Sequence, residues 1–157
     1  MNSNGCFILN CIATWYMVGL IWMVQVVHYN LMDRVGTEGF ATYETEHSRL
    51  ITPIVAIPML IELLTAAVLL WQRPTGFPLA AAWVGFGCVI LLWLSTAFLQ
   101  VPYHGQLTQG FSQSAYEGLV RTNWIRTVLW SFRGAMLAYF LYQVLTNNTQ
   151  TINIASP

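Results

Sequence analysis

The sequence predicts an all-α integral membrane protein: a four-helix transmembrane bundle with an interfacial amphipathic helix between its first two spans. Three observations predict it. Charged residues are 8% of the 157 and hydrophobic residues 56%, against about 25% charged in an ordinary soluble domain. Four apolar stretches are long enough to cross a hydrocarbon core of about 30 Å at 1.5 Å per helical residue. None alternates with period 2 as a barrel strand does, so helices are left to satisfy the backbone in lipid. Six arginines, no lysine and six carboxylates leave a formal net charge of zero. That composition excludes a soluble globular domain, a disordered chain and an electrostatic nucleic-acid binder, which needs a basic face.

The first span, Phe7 to Tyr29, carries no Asp, Glu, Lys or Arg. It is too long for a signal-peptide core, its leader Met1 to Gly5 has no positive charge, and no small-residue cleavage site follows at Val26 to Asn30, so it is expected to be retained. In the connection Asn30 to Leu50, Phe40, Tyr43 and His47 recur at three- and four-residue spacing, which predicts the interfacial helix. Thr52-Pro53 then marks the predicted start of span two, Ile51 to Trp71, because Thr caps and Pro suits a first helical turn. Pro58 predicts a kink or local opening there. Gln72 to Pro78 is a short turn into span three, Leu79 to Val101, and a second long connection leads to span four, Thr122 to Leu145. Ala81 with Gly85, and Gly134 with Ala138, are small-residue pairs that let helices approach closely. Trp71, Trp83 and Trp124 fall near span ends, where an aromatic belt is expected. Cys6, Cys11 and Cys88 are isolated and read as small core residues.

An even number of spans puts both termini on one face. Arg34, Arg49 and Arg121 lie on the opposite, long-loop face, and only Arg73 on the terminal one. Positively charged short loops stay cytoplasmic, so the termini are expected to be non-cytoplasmic. The polar tail Asn147 to Pro157 then lies outside, with a glycosylation acceptor pattern at Asn147-Asn148-Thr149.

Polar residues within such spans are costly and mark sites. Glu62 is 11 residues past Ile51 and Arg133 is 11 past Thr122, each about 16 Å deep at 1.5 Å per residue. Equal depth predicts an ion pair facing the bundle interior. It is either a structural lock on helix register or a site with Glu62 as ligand or proton carrier. Asn123, Arg126, Trp130 and Arg133 follow one another at three- and four-residue steps and share a helical face. Their guanidiniums suit an anion, a carboxylate-bearing ligand or a haem propionate, although Arg126 is also shallow enough to snorkel to the headgroups. His28, His47 and His104 all fall at the long-loop face. A lone interfacial His is more often structural, but three at one level, with Glu44 and Glu62, predict a site for Zn, Fe or Cu, or haem with His28 or His104 as axial ligand. Glu44 and His47 form a single E-x-x-H, which does not make a symmetric di-iron site. Gln25, three residues before His28, is expected to orient its ring. Trp93, Thr96, Gln100 and His104 form a polar stripe on span three if the helix survives Pro102.

The expected function is therefore an intramembrane polar site for a metal, haem or anionic ligand, with redox chemistry among its uses. The alternative is a non-catalytic accessory subunit of a larger membrane complex, with a closed core and a Trp-rich surface against partner subunits. A transporter is disfavoured by the absence of internal repeats.

Several strings carry a family likeness: Val24-Gln25-Val26-Val27-His28-Tyr29, Glu46-His47, Pro58-Met59-Leu60-Ile61-Glu62, Trp93-Leu94-Ser95-Thr96, Gln100-Val101-Pro102-Tyr103-His104, and Thr122-Asn123-Trp124-Ile125-Arg126-Thr127 with Trp130 and Arg133. Over nearly its whole length the chain resembles a family of small, functionally uncharacterised bacterial four-helix membrane proteins. The resemblance implies the fold and a bacterial membrane location, and no activity. Where that family often has Pro after the His-Tyr pair, this chain has Asn30.

Overall fold

The computed structural model describes residues 2–154, and beyond Thr146 the backbone alone. Among the described residues four long helices and no strand are present: α1 (Ser3–Met32), α2 (Phe40–Leu69), α3 (Leu79–Leu107) and α4 (Gln113–Ile154). All four are long and apolar enough to cross a membrane. Helices adjacent in sequence are adjacent in space, and α4 closes back on α1. The result is an up-and-down bundle.

Each helix outruns the span read from hydropathy, because polar residues at the ends are also held helical. Asn2 caps α1 by accepting from the Gly5 N–H at 2.8 Å. The segment expected to lie separately in the interface is instead the first part of α2, which runs unbroken through Pro53 and Pro58. No boundary forms at Thr52-Pro53. Docking of this segment on the bundle end outweighs proline's preference for a first turn: Phe40 is buried edge-on against Phe111, and Glu44 is buried against α3. The Thr52 hydroxyl donates to the Ser48 carbonyl at 2.6 Å and ties the turn that Pro53 weakens.

Helix α3 likewise survives Pro102, through a π-turn at Thr96–Gln100, and α1 has a matching π-turn at Val24–His28. One extra residue in a turn rotates the remainder of the helix by about 100°. The connections expected to be long shrink to residues 33–39 and 108–112. Gly39 (φ 102°) and Gly110 (φ 136°) make these reversals in a backbone region that side chains disfavour. Beyond Thr146 the backbone stays helical to Ile154; the side chains of Asn147-Asn148-Thr149 lie outside the described ones.

Three apolar clusters fill the bundle along its axis. Cys6, Phe7, Leu69, Phe77 and Leu137 lie at the terminal end, Met17, Ile21, Met59, Leu92 and Trp130 at mid-height, and Tyr29, Met32, Phe40, Leu107 and Leu119 at the far end. Leu64, Trp71, Phe98 and Val128 point outward, as lipid-facing positions should. The three cysteines are buried and unbridged. Close helix contact occurs at the expected Gly134, whose carbonyl accepts from the Trp15 indole at 3.2 Å. It also occurs at the unforeseen Gly118, where an added Cβ would lie 2.5 Å from Tyr103 Cζ.

Candidate functional site

The polar residues separate into two layers, with a cavity that reaches from the shallower layer toward a histidine cluster above it. The deeper layer is closed. Glu62 on α2 and Arg133 on α4 form an ion pair, each 1% exposed. Thr14 on α1 donates to Glu62 Oε1 at 2.7 Å, and the Trp130 indole donates to Oε2 at 2.9 Å. Arg133 also donates to Thr14, to Asn10 Oδ1 at 2.8 Å and to the Gly85 carbonyl of α3 at 3.2 Å. Asn10 Nδ2 completes the set on Thr65 at 2.7 Å. All four helices contribute, and both Glu62 oxygens are engaged.

This engagement removes Glu62 from the histidine group in which it was expected. Residues 47 and 62 lie on one unbroken helix, about 22 Å apart along its axis at 1.5 Å per residue. Asn10 and Thr14, one turn apart on α1, were not singled out from the sequence. Their signal was a short polar pair at i and i+4 inside an apolar span.

The second layer surrounds Arg126. Its side chain points inward and is 7% exposed, so it does not snorkel. Nε donates to Asn123 Oδ1 at 2.9 Å, one terminal nitrogen donates to Thr96 Oγ1 at 3.2 Å, and the guanidinium lies 5.6 Å over the Trp130 ring. Asn123 in turn donates to Gln25 Oε1 at 2.8 Å. Gln25 therefore supports the arginine layer and leaves His28 alone. Every hydrogen-bond partner of Arg126 is neutral; among the described residues no carboxylate reaches it.

Arg126 lines a cavity of about 440 Å³, within the ~300–1,000 Å³ range of small-molecule sites. Met17, Ile21, Val55, Met59 and Trp93 supply apolar walls, while Thr96, Gln100, His47 and His104 add polar groups. The predicted α3 stripe thus faces one space. The Trp93 Nε1–H is buried without an acceptor. Thr52, Val101 and Gly105 are the exposed lining residues, so the cavity opens sideways between α2 and α3.

At the upper end α1, α2 and α3 bring the three histidines together. The His28 and His47 rings are stacked with centroids 4.3 Å apart, and His47 and His104 are 5.7 Å apart. His104 Nδ1 lies 2.5 Å from Glu44 Oε1, and the Glu44 side chain is 0% exposed. Ser48 donates to the same oxygen at 3.1 Å. Glu44 Oε2 and His28 Nε2 are buried and have no hydrogen-bond partner. In this conformation no three His, Cys, Asp or Glu side chains among the described residues are set to hold a metal ion; parallel stacked rings direct their in-plane lone pairs side by side, not toward one point.

No family model, curated protein or solved structure matches the chain.

Proposed function

We propose that the protein is a membrane-embedded binding protein for an amphipathic ligand with an anionic head, which enters from the bilayer between α2 and α3. One observation carries this reading: Arg126 is a buried cation with neutral partners, and it faces an open cavity. A guanidinium keeps its charge at any accessible pH, and burial without a counter-ion is costly. A carboxylate seated on Arg126 supplies that counter-ion through charge-assisted hydrogen bonds. The unpaired Trp93 N–H offers a second donor, and the apolar walls suit a hydrocarbon tail. A haem propionate meets the same requirement, and an absorption spectrum tells it from an aliphatic acid. The accessory-subunit alternative called for a closed core, and the cavity weighs against it. For orientation, the arginines of the His-bearing end, Arg34, Arg49 and Arg121, support a cytoplasmic placement of that end and non-cytoplasmic termini.

The test is binding of a fluorescent long-chain carboxylic acid, and of its neutral alcohol analogue, to protein in nanodiscs. Arg126→Gln is expected to weaken acid binding at least tenfold, about 1.4 kcal/mol, and to leave the alcohol unchanged. Equal binding of acid and alcohol by the wild type, or no effect of Arg126→Gln on the acid, overturns the reading.

A further inference from the structure

We propose that His28, His47 and His104, with Glu44 behind them, form a site for a single divalent transition-metal ion of the zinc, copper or cobalt class, at the upper end of the cavity that Arg126 also lines. Three separate helices bring three imidazoles together, His47 against both His28 and His104, although no packing need requires three polar rings in one place. Two groups there are desolvated without compensation: His28 Nε2 and Glu44 Oε2 are buried and unpartnered. Native proteins seldom leave such atoms unsatisfied; a cation on His28 Nε2 would satisfy that nitrogen, and its charge would offset the burial of the Glu44 carboxylate behind His104. The remaining carboxylate oxygen fixes His104 by accepting from Nδ1, which leaves Nε2 with its lone pair free. That carboxylate–histidine pairing is the arrangement that orients a metal-ligating imidazole and raises its basicity. Imidazole nitrogen, with or without carboxylate oxygen, suits this class of ions.

One ring must move for the site to load. His47 is stacked on His28, but no hydrogen bond holds it, and it borders the cavity. The open space lets it rotate out of the stack and turn a nitrogen toward the other two. The metal-free conformation is thus a resting arrangement, and loading should pull His47 away from Tyr43, on which it also stacks.

The test uses metal-stripped wild-type protein in nanodiscs and cobalt(II) alone, read by visible absorption and by calorimetry. One equivalent is expected to bind at micromolar or lower concentration, with nitrogen-dominated d–d bands that zinc(II) displaces. His47→Ala and His28→Gln should each weaken binding at least tenfold. Arg126→Gln, by contrast, should bind metal normally while losing the acid probe, so failure of either proposal is seen separately. In case a histidine variant misfolds, zinc(II) should also protect the wild-type histidines from diethyl pyrocarbonate. Absence of stoichiometric binding by the wild type, absence of that protection, or binding unchanged in both histidine variants would falsify the site.

Discussion

Glu62 and Arg133 each give up hydration at mid-height of the bundle, and each is tolerable only because the other is present. Removing one partner of a buried pair leaves an uncompensated charge, at a typical cost of about 3–5 kcal/mol. Glu62→Gln and Arg133→Gln should each lose stability on that scale in detergent unfolding titrations, and the double variant should lose clearly less than their sum. Strictly additive losses would show that the two side chains do not depend on each other. Thr14→Val tests the polar frame around the pair. It deprives Glu62 of a donor and Arg133 of an acceptor, and a loss of about 1–3 kcal/mol is expected in the same titration. At this scale the sequence was informative where spacing carries the message. Asn123, Arg126, Trp130 and Arg133 declared their shared face by three- and four-residue steps, and all four are buried there. Asn10 and Thr14 escaped notice because a small polar group in an apolar span barely alters hydropathy, and only the charge above it shows why it is there.

At the scale of the helix, tertiary contact overrode local preference. Pro53 reads as a first-turn residue, yet Phe40 and Glu44 anchor the preceding turns to the bundle, and the helix runs through. The π-turns were not legible, since five residues of Val, Gln and His, or of Thr, Ala, Phe, Leu and Gln, carry no periodic signature of an inserted residue. They matter to the site because the turns that hold His28, Thr96 and Gln100 are themselves the wide ones. Gly118 shows a second kind of hidden information. It was not singled out in the sequence, because its small partners at four-residue spacing, Ser114 and Thr122, are polar and read as ordinary helix-surface residues, yet the Tyr103 ring occupies the space of its missing side chain. Gly118→Leu should separate α3 from α4 near the cavity and cost about 1–3 kcal/mol by overpacking. Thermal denaturation of the detergent-solubilised protein checks this, and an unchanged midpoint would mean that Tyr103 swings clear without loss.

For the whole molecule, four-helix architecture was fully legible, because lipid allows so few backbone solutions. What hydropathy understated was helix length, since the ends are held by polar caps and docking contacts instead of apolar content. The proposed orientation has a direct check: an alkaline phosphatase fused after Pro157 should be active and a fluorescent protein at the same place dark, and the reverse pattern would invert the topology while leaving the four spans in place. The sideways mouth between α2 and α3 has a further consequence. Met17 and Met59 line the cavity, and beyond them the mid-height core and the ion pair close the bundle from all four helices. The chamber is therefore a blind alcove confined to the half of the bundle on the histidine side of the ion pair. If the proposed membrane-dissolved ligand fills it, occupancy should follow the ligand's mole fraction in a single leaflet, and not its concentration in water: diluting a vesicle suspension with buffer should leave the alcove filled, whereas diluting the membrane with inert lipid should empty it.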